Sequence, residues 1–126
     1  MRVLLVEDNE VLRHLFSRGL RAQGFDVTEA GNGRDALDQL VGYEPNLVIT
    51  DVMMPVMDGV EFIHNLRKIP AMASVPVVAI TADGTAETER RVRDAGAIDF
   101  IVKPVDIPTL LERFYGPRGR ETGLVR

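Results

Sequence analysis

Short apolar runs separated by segments of helical period constrain this 126-residue chain more than any other feature. Val3–Val6, Leu47–Ile49, Val75–Ile80 and Phe100–Val102 are rich in Val, Ile and Leu and mostly lack polar alternation. Runs of that kind are strands covered on both faces, as in a parallel sheet. Residues 25–30, Phe-Asp-Val-Thr-Glu-Ala, do alternate and read as a half-exposed edge strand. Between the strands, apolar residues recur at spacings of three and four. Leu12, Leu15, Phe16, Gly19 and Leu20 form one face, with Gly24 as its stop. Ala36, Leu37, Leu40 and Val41 form a second, closed by Gly42 and Pro45. Gly59, Phe62, Ile63 and Leu66 form a third, ended before Pro70. Ile107, Leu110, Leu111 and Phe114 form the last, ended by Gly116 and Pro117. Thr85 to Gly96 is the weakest pattern, with only Ala86, Val92 and Ala95 apolar among its charges, and is expected to be a loosely held helix.

Strand and helix thus alternate five times. Such alternation means parallel strands joined by right-handed crossovers, with helices on both faces. The expected fold is α/β, a doubly wound (βα)5 five-stranded parallel sheet. The most apolar strands belong in the centre and the alternating one at an edge, which the order 2-1-3-4-5 satisfies. The length suits one domain, residues 1–116, and residues 117–126 read as a polar tail or linker stub.

Composition removes several function classes. With no Cys, a disulfide framework, a thiolate metal site and a thiol nucleophile are all excluded. A net charge of -4 speaks against a direct nucleic-acid coat. No apolar run approaches the roughly 18 residues of a membrane span, and Glu7 and Asp8 cut the N-terminal run too short for a signal peptide. A cytoplasmic location is expected.

In open parallel sheets, sites form at the carboxyl ends of the strands. Glu7 and Asp8 follow the first strand, Asp51 the third, Thr81 the fourth, and Lys103 with Pro104 the fifth. Three carboxylates, a hydroxyl and an ammonium therefore share one edge on four neighbouring strands. Gathered carboxylates repel one another, and a divalent cation relieves this; an all-oxygen site suits Mg2+. A carboxylate beside Mg2+ and a lysine is a competent phosphoryl acceptor. Taken singly, each residue has an ordinary reading: a helix cap for Asp8 or Asp51, a satisfied strand-end hydroxyl for Thr81, a solvated charge for Lys103. The specificity lies in the set. His14 and His64 lie off the apolar faces and read as solvated residues.

These stretches resemble response regulator receiver domains, the phosphoacceptor halves of two-component systems. The matching segments are residues 3–9 (VLLVEDN), 51–59 (DVMMPVMDG), 80–82 (ITA) and 101–104 (IVKP), and the resemblance covers residues 2 to about 115. It implies a flavodoxin-like, CheY-like fold and a phosphorelay function. It implies that Asp51 is phosphorylated and that Glu7, Asp8, Asp51 and the Met53 carbonyl hold Mg2+. Thr81 and Lys103 would bind the phosphoryl group, Thr81 and Phe100 would switch, and the bond before Pro104 would be cis. A histidine kinase or histidine phosphotransfer protein would be the donor, and an output protein or domain would read residues 82–115. The chain would catalyse its own phosphorylation and slow dephosphorylation and would not act as an enzyme on other substrates. Phe100 departs from the tyrosine common in the family and lacks its hydroxyl. Met53 and Asp83, each two places beyond a site residue, flank the path of attacking water. A dehalogenase-type phosphatase also uses an Asp nucleophile with Mg2+, but favours a second Asp where this chain has Met53. A flavin carrier of the same topology would want a phosphate-cradling loop where this chain has Glu7 and Asp8.

Overall fold

The computed structural model describes residues 1–115. The elements in chain order are β1 (Arg2–Val6), α1 (Glu10–Ala22), β2 (Asp26–Ala30), α2 (Gly33–Gln39), β3 (Leu47–Asp51), α3 (Gly59–Arg67), a 3-10 turn (Pro70–Met72), β4 (Val77–Thr81), α4 (Ala86–Ala95), β5 (Asp99–Val102) and α5 (Ile107–Tyr115). The five strands are parallel, in the order β2-β1-β3-β4-β5. The expected tail at 117–126, the helix stop at Gly116 and the Phe114 side chain lie outside the described residues.

Alternation along each strand divides the core in two. Leu4, Val6, Val48 and Ala79 point to one face and pack with Phe62, Ile63, Leu66 and Val92 from α3 and α4. Val3, Leu5, Leu47, Ile49, Val78, Ile80 and Ile101 point to the other, beneath Phe16 and Leu20 of α1 and Leu110 of α5. All five residues of β3 and of β4 are buried, which accounts for their unbroken apolar sequences. β2 is an edge strand, with Asp26 exposed and Thr28 and Glu29 half-buried.

Caps set the helix starts. Asn9, Asn32, Asp58 and Thr85 each accept a hydrogen bond from a backbone N–H in the first turn of the helix that follows. Gly19 lets α1 and α5 approach closely, since a Cβ there would lie 2.5 Å from Ile107 Cγ1.

Three expected faces are phased differently. In α1, Leu15 is 56% exposed and Ser17 is buried, because the helix meets the sheet through Phe16 and Leu20. Val41 is 90% exposed, because α2 ends at Gln39. In α4, Ala86 is exposed and Thr88 takes a buried place beside Val92 and Ala95.

Candidate functional site

Parallel registry brings the chemical groups together. Val6 pairs with Thr50, Asp51 with Ile80, and Thr81 with Val102, so the carboxyl ends of β1, β3, β4 and β5 lie at one edge. Glu7, Asp51 and Thr81 are buried there, and Asp8 is exposed. One carboxylate oxygen from each of Glu7, Asp8 and Asp51 can be chosen so that all three lie within 4.8 Å of one another. This hard, all-oxygen donor set fits Mg2+ rather than a soft metal.

Lys103 closes the cluster. Its ammonium donates to Glu7 Oε1 at 2.6 Å and to Asp51 Oδ2 at 3.1 Å. The other Asp51 oxygen, Oδ1, accepts from Val52 N at 2.7 Å, and Glu7 Oε2 accepts from Asn9 N at 3.0 Å. Burial pushes the Glu7 carboxyl up to about 7, against the Lys103 and Asn9 bonds that favour its charged form; nearby Asp51 adds to the rise. Burial works to lower the Lys103 ammonium, but its bonds to Glu7 and Asp51 outweigh that and hold it above its ordinary value. The lysine stays charged, and its positive charge counters the crowding of acids.

The loop after β3 fixes Asp51 from below. Gly59 N donates to Val52 O at 2.7 Å. A Cβ at Gly59 would overlap the Asp51 carbonyl and lie 2.7 Å from Val52 Cα, so only glycine lets α3 start this close to the acid. Met57 N donates to Pro55 O at 2.8 Å across Val56, whose φ is 71°. That is a three-residue turn with a β-branched residue in the left-handed region.

The Thr81 hydroxyl accepts from Asp83 N at 3.1 Å. Phe100 is 8% exposed and packs in the same core as Val92 and Ala95 of α4. The Met53 side chain is 62% exposed. The Lys103–Pro104 peptide is cis. Beside the cluster, an open groove of about 320 Å³ is lined by Leu12, Phe16, Ala82, Lys103, Pro104 and Val105. His14 is 56% exposed and lies near Glu10 and Glu29.

Two supporting residues escaped the sequence reading. Arg13 Nη1 donates to the Glu7 carbonyl at 2.9 Å, and Asn9 supports the Glu7 carboxylate while capping α1. Asn9 carried a readable signal, a capping residue just before an apolar helical stripe. Arg13 carried none, because its role depends on how α1 lies over β1.

Comparison with known proteins gives the family and the fold. The response regulator receiver domain family matches residues 3–115. The chain is 33% identical over 110 residues to the polar-differentiation response regulator DivK of Brucella anthropi, a span that covers 87% of this chain and 89% of the relative. The chemotaxis response regulator CheY4 of Vibrio cholerae superposes with a TM-score of 0.85 at 32% identity, covering 90% of this chain and 94% of the other. A response regulator from Desulfuromonas acetoxidans gives a TM-score of 0.82 at 34% identity, covering 99% and 98%.

Proposed function

The chain belongs to the response regulator receiver family, and from that premise we propose that Asp51 is the acceptor of its two-component phosphorelay. The supporting observation is the placement of Asp51: buried at the end of a central strand, 3.1 Å from the Lys103 ammonium and beside Glu7 and Asp8. In this reading an Asp51 oxygen attacks the phosphorus of a phosphohistidine. The bond from phosphorus to the imidazole nitrogen breaks, and the imidazole leaves with that electron pair. Lys103 swings part of its charge from Asp51 to the arriving phosphoryl oxygens, and the Thr81 hydroxyl donates to another. Glu7, Asp8, Asp51 and the Met53 carbonyl would hold Mg2+, whose charge offsets that of the transferring group. Water attack on the aspartyl phosphate resets the site, so the chain promotes both halves of its own cycle.

The donor is a histidine kinase or histidine phosphotransfer protein, and the groove formed by Leu12, Phe16, Pro104 and Val105 lies at the mouth it must approach. Phosphorylation is read through residues 82–115, where Phe100 contacts the core beneath α4. No helix of the described residues is long and apolar enough to cross a membrane; we place the chain in the cytoplasm with its donor.

The test is acetyl phosphate with Mg2+, followed by intact mass. One phosphoryl group is expected on the wild-type protein and none on Asp51→Asn. An Asp51→Asn protein that still gains the group would overturn the assignment.

A further inference from the structure

We propose that Asp83 is a positioning residue that latches the Thr81 hydroxyl to α4 and so restrains the switch until phosphorylation. The proposal rests on Asp51 being the phosphoacceptor.

Asp83 is bonded in both directions. Its backbone N–H donates to Thr81 Oγ1 at 3.1 Å. Its carboxylate accepts from the Thr88 hydroxyl at 2.7 Å and from Thr85 N at 3.1 Å. Thr88 is itself buried in the first half of α4. The carboxyl is held below the ordinary carboxylate range, first by the Thr88 bond and then by the Thr85 amide, so it is an ionised acceptor near neutral pH. Capping alone does not explain this arrangement. Thr85 already caps α4, accepting from Thr88 N at 3.2 Å. The Asp83 bonds add a second tether, and this one continues to the strand-end hydroxyl. The segment also lies against β5, since a Cβ at Gly84 would come 2.9 Å from Val102 Cγ2.

A Thr81 hydroxyl drawn toward a phosphoryl oxygen must stretch or leave the Asp83 amide. It then pulls on a residue whose other end is tied to α4. The free energy of those bonds favours the unphosphorylated arrangement, and removing them shifts the population toward the other. The Asp83 carboxylate thus acts on the switch through α4, to whose first turn both of its hydrogen bonds run.

The experiment titrates the full chain with beryllofluoride and Mg2+, following amide shifts and thermal melting. Thr88→Val preserves shape and the Asp83 charge, removes the Thr88 hydroxyl's bonds with Asp83 and with the Thr85 hydroxyl, and leaves the Thr85 amide bond to Asp83; it is expected to bind beryllofluoride about fivefold more tightly. Asp83→Ala is expected to do the same. Thr88→Ser, which keeps the hydroxyl, should match the wild type. Glu87→Gln, which removes an acid from the same turn without touching the tether, should also match it. Melting curves identify any variant that fails to fold, and the other tether variant then decides. Affinities of Thr88→Val and Asp83→Ala within twofold of wild type, or weaker, would overturn the latch alone. A wild-type protein with no Asp51-dependent response would overturn the latch and the acceptor reading together.

Discussion

The Lys103 ammonium lies closer to Glu7, at 2.6 Å, than to Asp51, at 3.1 Å. The acid that flanks the proposed acceptor therefore anchors the lysine, with its ammonium still within hydrogen-bond reach of Asp51. Removing the cation strands two buried carboxylates. Lys103→Ala should cost about 2 kcal/mol of stability without divalent ions, below the full cost of a broken buried pair because the lysine is partly exposed. Mg2+ should then raise the melting temperature of the variant more than that of the wild type. Equal Mg2+ shifts in the two proteins would show that Lys103 does not serve as the counter-ion.

Val56 sits at φ 71° and is 79% exposed, so its side chain contributes little packing to offset the conformation. Glycine takes a positive φ without the Cβ clash. Val56→Gly should stabilise the protein by about 0.5 kcal/mol in urea unfolding, the relieved strain being offset in part by the added freedom of the unfolded chain. An unchanged or lower midpoint would argue against backbone strain in the turn.

Arg67 satisfies three carbonyls at once, donating to Met72 O at 2.9 Å, Val75 O at 2.6 Å and Gly96 O at 2.7 Å. It ties the end of α3 to the approach to β4 and the end of α4. Arg67→Ala should cost about 3 kcal/mol through unpaired carbonyls and lost packing. Lys cannot reproduce the planar fork, so Arg67→Lys should recover less than half of that. Full recovery by lysine would mean that charge, and not geometry, holds the junction.

Asp106 accepts from Thr109 N at 2.8 Å in the first turn of α5, and this bond holds its carboxyl below the ordinary value of 3.8. In the unfolded chain the carboxyl takes up a proton more readily. Below pH 3.8 the unfolded state therefore binds more protons, so this stabilisation is present above that pH and is lost as pH falls toward the depressed value. Asp106→Asn keeps a capping oxygen without titrating. Its melting temperature should fall less steeply than that of the wild type as pH drops below 3.8. Parallel acid limbs would show that the cap does not carry the effect.

Much of the fold was legible along the chain. The unbroken runs in β3 and β4 report strands covered on both faces, and the alternating residues of β2 report an edge; together they imply the observed order. The candidate site was legible for a related reason. In a parallel sheet, every strand delivers its carboxyl end to the same edge, so Glu7, Asp8, Asp51, Thr81 and Lys103 could be placed together without coordinates.

Helix phase was less legible. Leu15 and Ser17 have the opposite exposure from that expected of their polarity, because phase depends on the neighbour that a helix meets as well as on its own pattern.

The periodicity of the chain and the residues at its strand ends thus determined the architecture and which residues gather at the candidate site. Tertiary structure alone decided how those groups pair. Lys103 leans toward Glu7, 96 residues away in sequence, Arg67 spans three segments, and Asp83 turns its carboxylate to α4. Local preference specifies which residues share an edge or a face. The direction in which each polar side chain spends its hydrogen bonds depends on distances of a few tenths of an ångström between elements remote in the chain, and those distances exist only once the layers have packed.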